Sequence, residues 1–96
     1  MNSNIIAIVN KCENLSLKVN VGERYRISKS GLKGSLWLQP QQAAFRLKLT
    51  GDVKSRLSSF VIGKVGSKSH DDQDNPVWHL PFDGSMEVIV SAFNEL

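Results

Sequence analysis

The densest group of residues able to hold a metal or move a proton is His70, Asp71, Asp72 and Asp74. The run Asp72-Gln73-Asp74-Asn75-Pro76 resembles the start of a calcium loop, in which carboxylates at alternate positions would supply oxygen ligands. The pattern then fails. Proline falls at the third liganding position, the sixth position is not glycine, and the twelfth is Asp83 rather than the required bidentate glutamate. Zinc fares no better: one cysteine, Cys12, and two histidines nine residues apart, His70 and His79, match no tetrahedral ligand spacing. No metal and no cofactor are expected.

Nucleophilic catalysis requires a base beside the nucleophile and a group that orients the base. Cys12 sits in an apolar-periodic segment, where a buried structural thiol is the usual outcome. The serines have no Gly-x-Ser-x-Gly context, and the glycines at 31, 34, 63 and 66 do not form a phosphate-binding Gly-x-x-x-x-Gly-Lys loop. His79 lies between Trp78 and Leu80 with no partner in the local sequence. These absences point to a protein that is not an enzyme.

The cations tell more. Up to Lys68 the chain carries all twelve of its Lys and Arg residues against three acids, a net charge of +9. From residue 69 onward it carries six acids and no Lys or Arg, a net −6. Either the two halves meet and neutralise one another through cross-strand pairs, or the basic part faces an anionic partner.

Period-2 alternation decides which side chains could act together. Leu15, Leu17, Val19 and Val21 alternate with Ser16, Lys18 and Asn20; after Gly22, Tyr25 and Ile27 alternate with Arg24 and Arg26, as a second strand or as the same strand bent at a bulge. Ser28 to Gly34 reads as a loop. Leu36-Trp37-Leu38 and Phe45-Arg46-Leu47-Lys48-Leu49 read as the arms of a hairpin with a turn around Pro40. If these strands pair in order, Lys18, Arg24, Arg26, Trp37, Arg46 and Lys48, with Asn20, converge on the face opposite the core. Five cations around an aromatic ring suit single-stranded nucleic acid, because cations neutralise phosphates while a ring stacks on a base without reading its identity.

Elsewhere the periodicity is divided. Residues 4–13 fit either a helical stripe or a β-branched strand, with a lean to a short helix. Residues 53–62 are equally open, since Val53, Leu57 and Val61 share a face in both geometries and Asp52 could cap a helix. The stretch 66–76 lacks packing residues and reads as a mobile acidic loop. Val77 to Phe82 and Met86 to Phe93 flank Asp83-Gly84, a dipeptide suited to a type I′ hairpin turn, with Val88, Ile89 and Val90 forming a strand covered on both faces.

A chain of 96 residues, 41% hydrophobic and 22% charged, has the composition of one globular domain over 1–96. With a single cysteine no internal disulfide is available, the longest apolar run is the five residues Ile5 to Val9, and no basic leader precedes it. A reducing, cytoplasmic setting with no membrane association is expected. The architecture expected is mainly β: a small antiparallel barrel of five or six strands, or a compact sandwich, with one or two short helices. Its element order matches that of the OB-fold, a barrel on which oligonucleotides bind. The core expected is Leu15, Leu17, Val19, Tyr25, Ile27, Leu36, Leu38, Phe45, Leu47, Leu49, Leu57, Val61, Leu80, Val88 and Val90.

Two functions follow. The first is a non-enzymatic module binding single-stranded nucleic acid through the basic face. The second is a protein-interaction or inhibitory accessory protein, of the kind phages and mobile elements encode, pairing with a protein partner or with itself and binding no nucleic acid.

Overall fold

The alternation of Tyr25 and Ile27 with Arg24 and Arg26, and of Phe45, Leu47 and Leu49 with Arg46 and Lys48, produces strands with one apolar and one basic face. The computed structural model describes residues 3–96 and assembles these strands into one six-stranded sheet. In chain order the elements are α1 (Ser3–Asn10), β1 (Leu15–Asn20), β2 (Arg24–Lys29), β3 (Leu36–Pro40), β4 (Phe45–Leu49), α2 (Gly51–Val65), β5 (His70–Asp72), β6 (Asn75–Leu80) and α3 (Ser85–Asn94). The sheet order is β1-β2-β3-β4-β6-β5, with every pair antiparallel.

All three helices contribute to a single core against one face of this sheet. The sheet supplies Tyr25, Ile27, Leu36, Leu38, Phe45, Leu47, Leu49, Trp78 and Leu80; the helices supply Ile5 and Val9, then Val53, Leu57 and Val61, then Met86, Ile89, Val90 and Phe93. The mainly β expectation holds, but the sheet is open, neither closed into a barrel nor folded into a sandwich. The physical reason is that helices cover the apolar face, so no opposite wall of strands is needed to exclude water. β1 and β5 are left as edges.

Several local expectations change accordingly. Residues Ser3–Asn10 and Gly51–Val65 are helical, resolving both divided segments. Asp52 lies in the first turn of α2 and the N-cap is Thr50, whose hydroxyl instead accepts a bond from the Ser35 amide at 2.9 Å. Gly22 lies in the loop between β1 and β2 with Glu23, both at positive φ, so the second segment is a separate strand rather than a bulged continuation. Pro40 is the last residue of β3, and the connection to β4 is the loop 41–44, closed by a 2.9 Å bond from Gln41 N to Ala44 O.

The region 66–76 contains β5, which pairs with β6 through a two-residue turn at Gln73 and Asp74, both at positive φ. Backbone pairing sustains a strand there despite the lack of apolar side chains. The supposed last strand is α3: Met86, Ile89, Val90 and Phe93 are spaced i, i+3, i+4 and i+7 and are all buried, while Val88 points outward at 43% exposure. Asp83 precedes the N-cap Gly84 and accepts bonds from Ser85 N at 3.0 Å and Ser85 Oγ at 2.6 Å, which hold its carboxyl below the usual carboxylate range. On edge strand β1, Leu15 and Leu17 are only half-buried and Val19 is 46% exposed, because an edge lies beyond the cover of the helices' centre.

Candidate nucleic-acid interface

Among the described residues no helix covers the open side of the sheet, and register brings its residues into rows. Lys18 stands opposite Arg26, Arg26 opposite Trp37, and Trp37 opposite Lys48. Three strand spacings separate the ends of this row, about 14 Å. In the neighbouring row Asn20 faces Arg24, and Gln39 faces Arg46, which faces His79. All six residues singled out from the alternation, Lys18, Arg24, Arg26, Trp37, Arg46 and Lys48, therefore share one face.

Trp37 is half-buried between two cations: the Arg26 guanidinium carbon lies 5.7 Å from its ring centroid and the Lys48 ammonium 5.8 Å. Arg26 is also fixed by a 2.9 Å bond from Nε to Ser35 Oγ, and Ser35 is a buried polar residue just before β3. Lys18, Arg24 and Arg26 are exposed. Lys18 directly opposite Arg26 is a like-charge pair, which weakens a sheet unless an anion lies over it. The Nδ2 donor of Asn20 is buried with no hydrogen-bond partner among the described residues.

An acid also reaches this face. Asp72 on β5 accepts from Arg46 Nη2 at 3.0 Å and from Lys48 Nζ at 3.3 Å, spanning the intervening β6. These bonds, with the field of the two cations, hold its carboxyl below the ordinary aspartate value. Val77 lies between Lys48 and His70 in register and is fully buried, as a residue spanned by that bridge should be. The acidic and basic parts of the chain thus meet at Asp72, and also at Asp71, of opposite parity, which pairs with Lys68 at 2.8 Å. Sequence reasoning missed Asp72 because its cationic partners are more than twenty residues away on a non-adjacent strand.

A cleft of about 320 Å³ opens on this face, lined by Arg24, Trp37, Gln39, Gln41, Arg46, Lys48 and Asp72. It offers a ring, two amides and three cations, a set suited to an anion bearing a flat group. At its margin His70 and His79 stand with ring centroids 5.7 Å apart, and His79 Nδ1 shares a 3.1 Å hydrogen bond with Ser69 Oγ.

The other candidate groups are placed differently. Cys12 donates to Ile8 O at 3.4 Å, and burial together with the Glu95 carboxylate raises its pKa, so the sulfur keeps its proton. No group of three His, Cys, Asp or Glu residues among those described could hold a metal ion. No helix of the described chain is long and apolar enough to cross a membrane.

Comparison of the chain with protein-family models, with curated proteins and with solved structures gives no match.

Proposed function

We propose that the chain is a non-enzymatic binding module that takes single-stranded nucleic acid on the helix-free face of its sheet. The observation that carries this reading is the row Lys18, Arg26, Trp37, Lys48, contiguous across four strands. A cation on either side of a ring is the arrangement that pairs phosphates while a base stacks between them. The Lys18/Arg26 opposition adds to it, since a bound polyanion would convert a repulsion into two attractions. An open sheet serves such a ligand without barrel closure, because stacking needs only an uncovered face. A reducing cytoplasmic location is consistent with a lone cysteine that keeps its proton.

The test is fluorescence anisotropy with labelled single-stranded DNA, duplex DNA and RNA at low and near-physiological salt. Wild type should bind single strands at micromolar or lower Kd, more weakly as salt rises, and a folded Arg46→Glu/Lys48→Glu variant should not bind. Absence of binding at low salt would reject the reading.

A protein-interaction role has one specific observation in its favour. Among the described residues β1, six residues long, is an end strand of the sheet, and Val19 and Val21 there are 46% and 94% exposed. Such an edge can accept a strand from a partner or a second copy. Concentration-dependent mass in light scattering, insensitive to the Arg46/Lys48 charge reversal, would favour this role over the first.

A further inference from the structure

Resting on the reading of this face as a nucleic-acid interface, we propose that Arg46 and Lys48 form a phosphate subsite that the Asp72 carboxylate occupies in the free protein, and that a backbone phosphate displaces it on binding. Both cations direct their donors at the same oxygen, Asp72 Oδ2, at 3.0 and 3.3 Å. A convergent guanidinium and ammonium are what an oxyanion of phosphate requires. Asp72 also lines the cleft beside Trp37, so a base stacked on that ring would bring its phosphate toward the position the carboxylate holds.

The element carrying Asp72 is suited to yield. β5 has three residues, pairs with β6 alone, and forms one edge of the sheet. His70 and Asp71 are exposed, and Asp72 is half-exposed, so little buried apolar surface fixes the strand. Rotation of one side chain is enough to free both cations, with no change in the order of the sheet. The carboxylate therefore acts as an internal competitor: it neutralises the pair in the free state and raises the threshold that a weak or isolated anion must exceed. A polyanion that also engages Lys18, Arg24, Arg26 and Trp37 exceeds it through contacts elsewhere on the face.

Asp72→Asn keeps the shape of the side chain and removes its charge. With labelled oligothymidylate, this variant should bind about three- to tenfold more tightly than wild type, the range expected when two half-buried ion pairs no longer have to be broken. Its salt dependence should also steepen, because the two cations then hold counterions that binding releases. Asp71→Asn removes the same net charge from a residue paired with Lys68 and should change affinity by less than about twofold. In wild type, carbon-detected NMR of the Asp72 carboxyl should show its pKa rise toward the ordinary aspartate value when the oligonucleotide is added, a readout that needs no variant.

If wild type binds but Asp72→Asn binds equally or more weakly, or Asp71→Asn gains as much, or the carboxyl titration does not move, the displacement is refuted and the interface itself stands. If neither wild type nor Asp72→Asn binds at low salt, both the interface and the subsite fall.

Discussion

Asp72 on β5 bonds Arg46 on β4 at 3.0 Å across the whole width of β6, so two strands that never pair are joined by a side-chain bridge over the third. The bridge lies on the open face, above a fully buried Val77. It is a point where the acidic C-terminal part of the chain meets the basic part, and it makes the edge strand answerable to pH.

The carboxyl of Asp72 is held below its ordinary value by Arg46 and Lys48. A group whose pKa is depressed by folding contributes stability that is complete above its unfolded pKa and is lost as pH falls through the folded one. Thermal melts of wild type and Asp72→Asn should therefore differ, with wild type higher, from neutral pH down to the ordinary aspartate value of about 3.9, and converge below it. Curves that coincide at neutral pH, or that keep the same separation below that value, would mean that the bridge contributes nothing in solution. The same variant is expected to bind nucleic acid more tightly, so stability and affinity should move in opposite directions.

Trp37 and Trp78 separate stacking from packing. Trp37 is half-buried on the open face, whereas Trp78 is 2% exposed in the core and donates to Gly66 O at 3.1 Å. Trp37→Ala should weaken single-strand binding by about 5- to 150-fold, corresponding to the 1–3 kcal/mol of one base–ring stack, and, the ring being half-buried, should lower the melting temperature by less than truncation of a core side chain does. Trp78→Phe should do the reverse. Anisotropy and calorimetric melts of the two variants decide it, and loss of affinity in Trp78→Phe alone would move the stacking surface elsewhere.

The open face was legible in the sequence because alternation is a local signal: Arg24 and Arg26 against Tyr25 and Ile27, and Arg46 and Lys48 against Phe45, Leu47 and Leu49, have one parity each whatever the fold around them. The segment around Val53, Leu57 and Val61 was not decided, because a spacing of four residues satisfies both a helical stripe and one strand face. The end of the chain was misread for a related reason. Val88-Ile89-Val90 has strong strand propensity, and Asp83-Gly84 suits a hairpin turn, yet burying Met86, Ile89, Val90 and Phe93 together over β strands requires a helix, so packing overrode propensity. The helical spacing of those four residues was the available signal. The partnership of Asp72 with Arg46 and Lys48 had none, since it depends on β6 being inserted between β4 and β5.

Val88 and Leu47 test that assignment. Leu47 is fully buried at the centre of β4, and Leu47→Ala should cost about 2–5 kcal/mol. Val88, on the outer side of α3, should tolerate Ala within about 0.5 kcal/mol. Urea denaturation of both variants is the measurement. A cost at Val88 comparable to that at Leu47 would restore a strand buried on both faces and rule out α3.

Gly34 and Gly63 should respond oppositely to the same change. Gly63 lies within α2 with open space where a Cβ would project, so Gly63→Ala should raise stability by about 0.5–1 kcal/mol through the reduced freedom of the unfolded chain. At Gly34 a Cβ would lie 2.0 Å from the carbonyl oxygen of Thr50, and the residue holds φ at +89°. Both obstacles are backbone, so no side chain can turn aside to admit the methyl group. Relief would require parting Ser35 from Thr50, breaking the bonds from Ser35 N to Thr50 Oγ1 at 2.9 Å and from Thr50 N to Ser35 O at 3.0 Å. Gly34→Ala should therefore cost more than about 3 kcal/mol in urea denaturation, a large share of a small domain's stability. Because Ser35 Oγ also anchors Arg26 beside Trp37, any Gly34→Ala protein that does fold should bind single strands more weakly, linking this backbone contact to the face it positions.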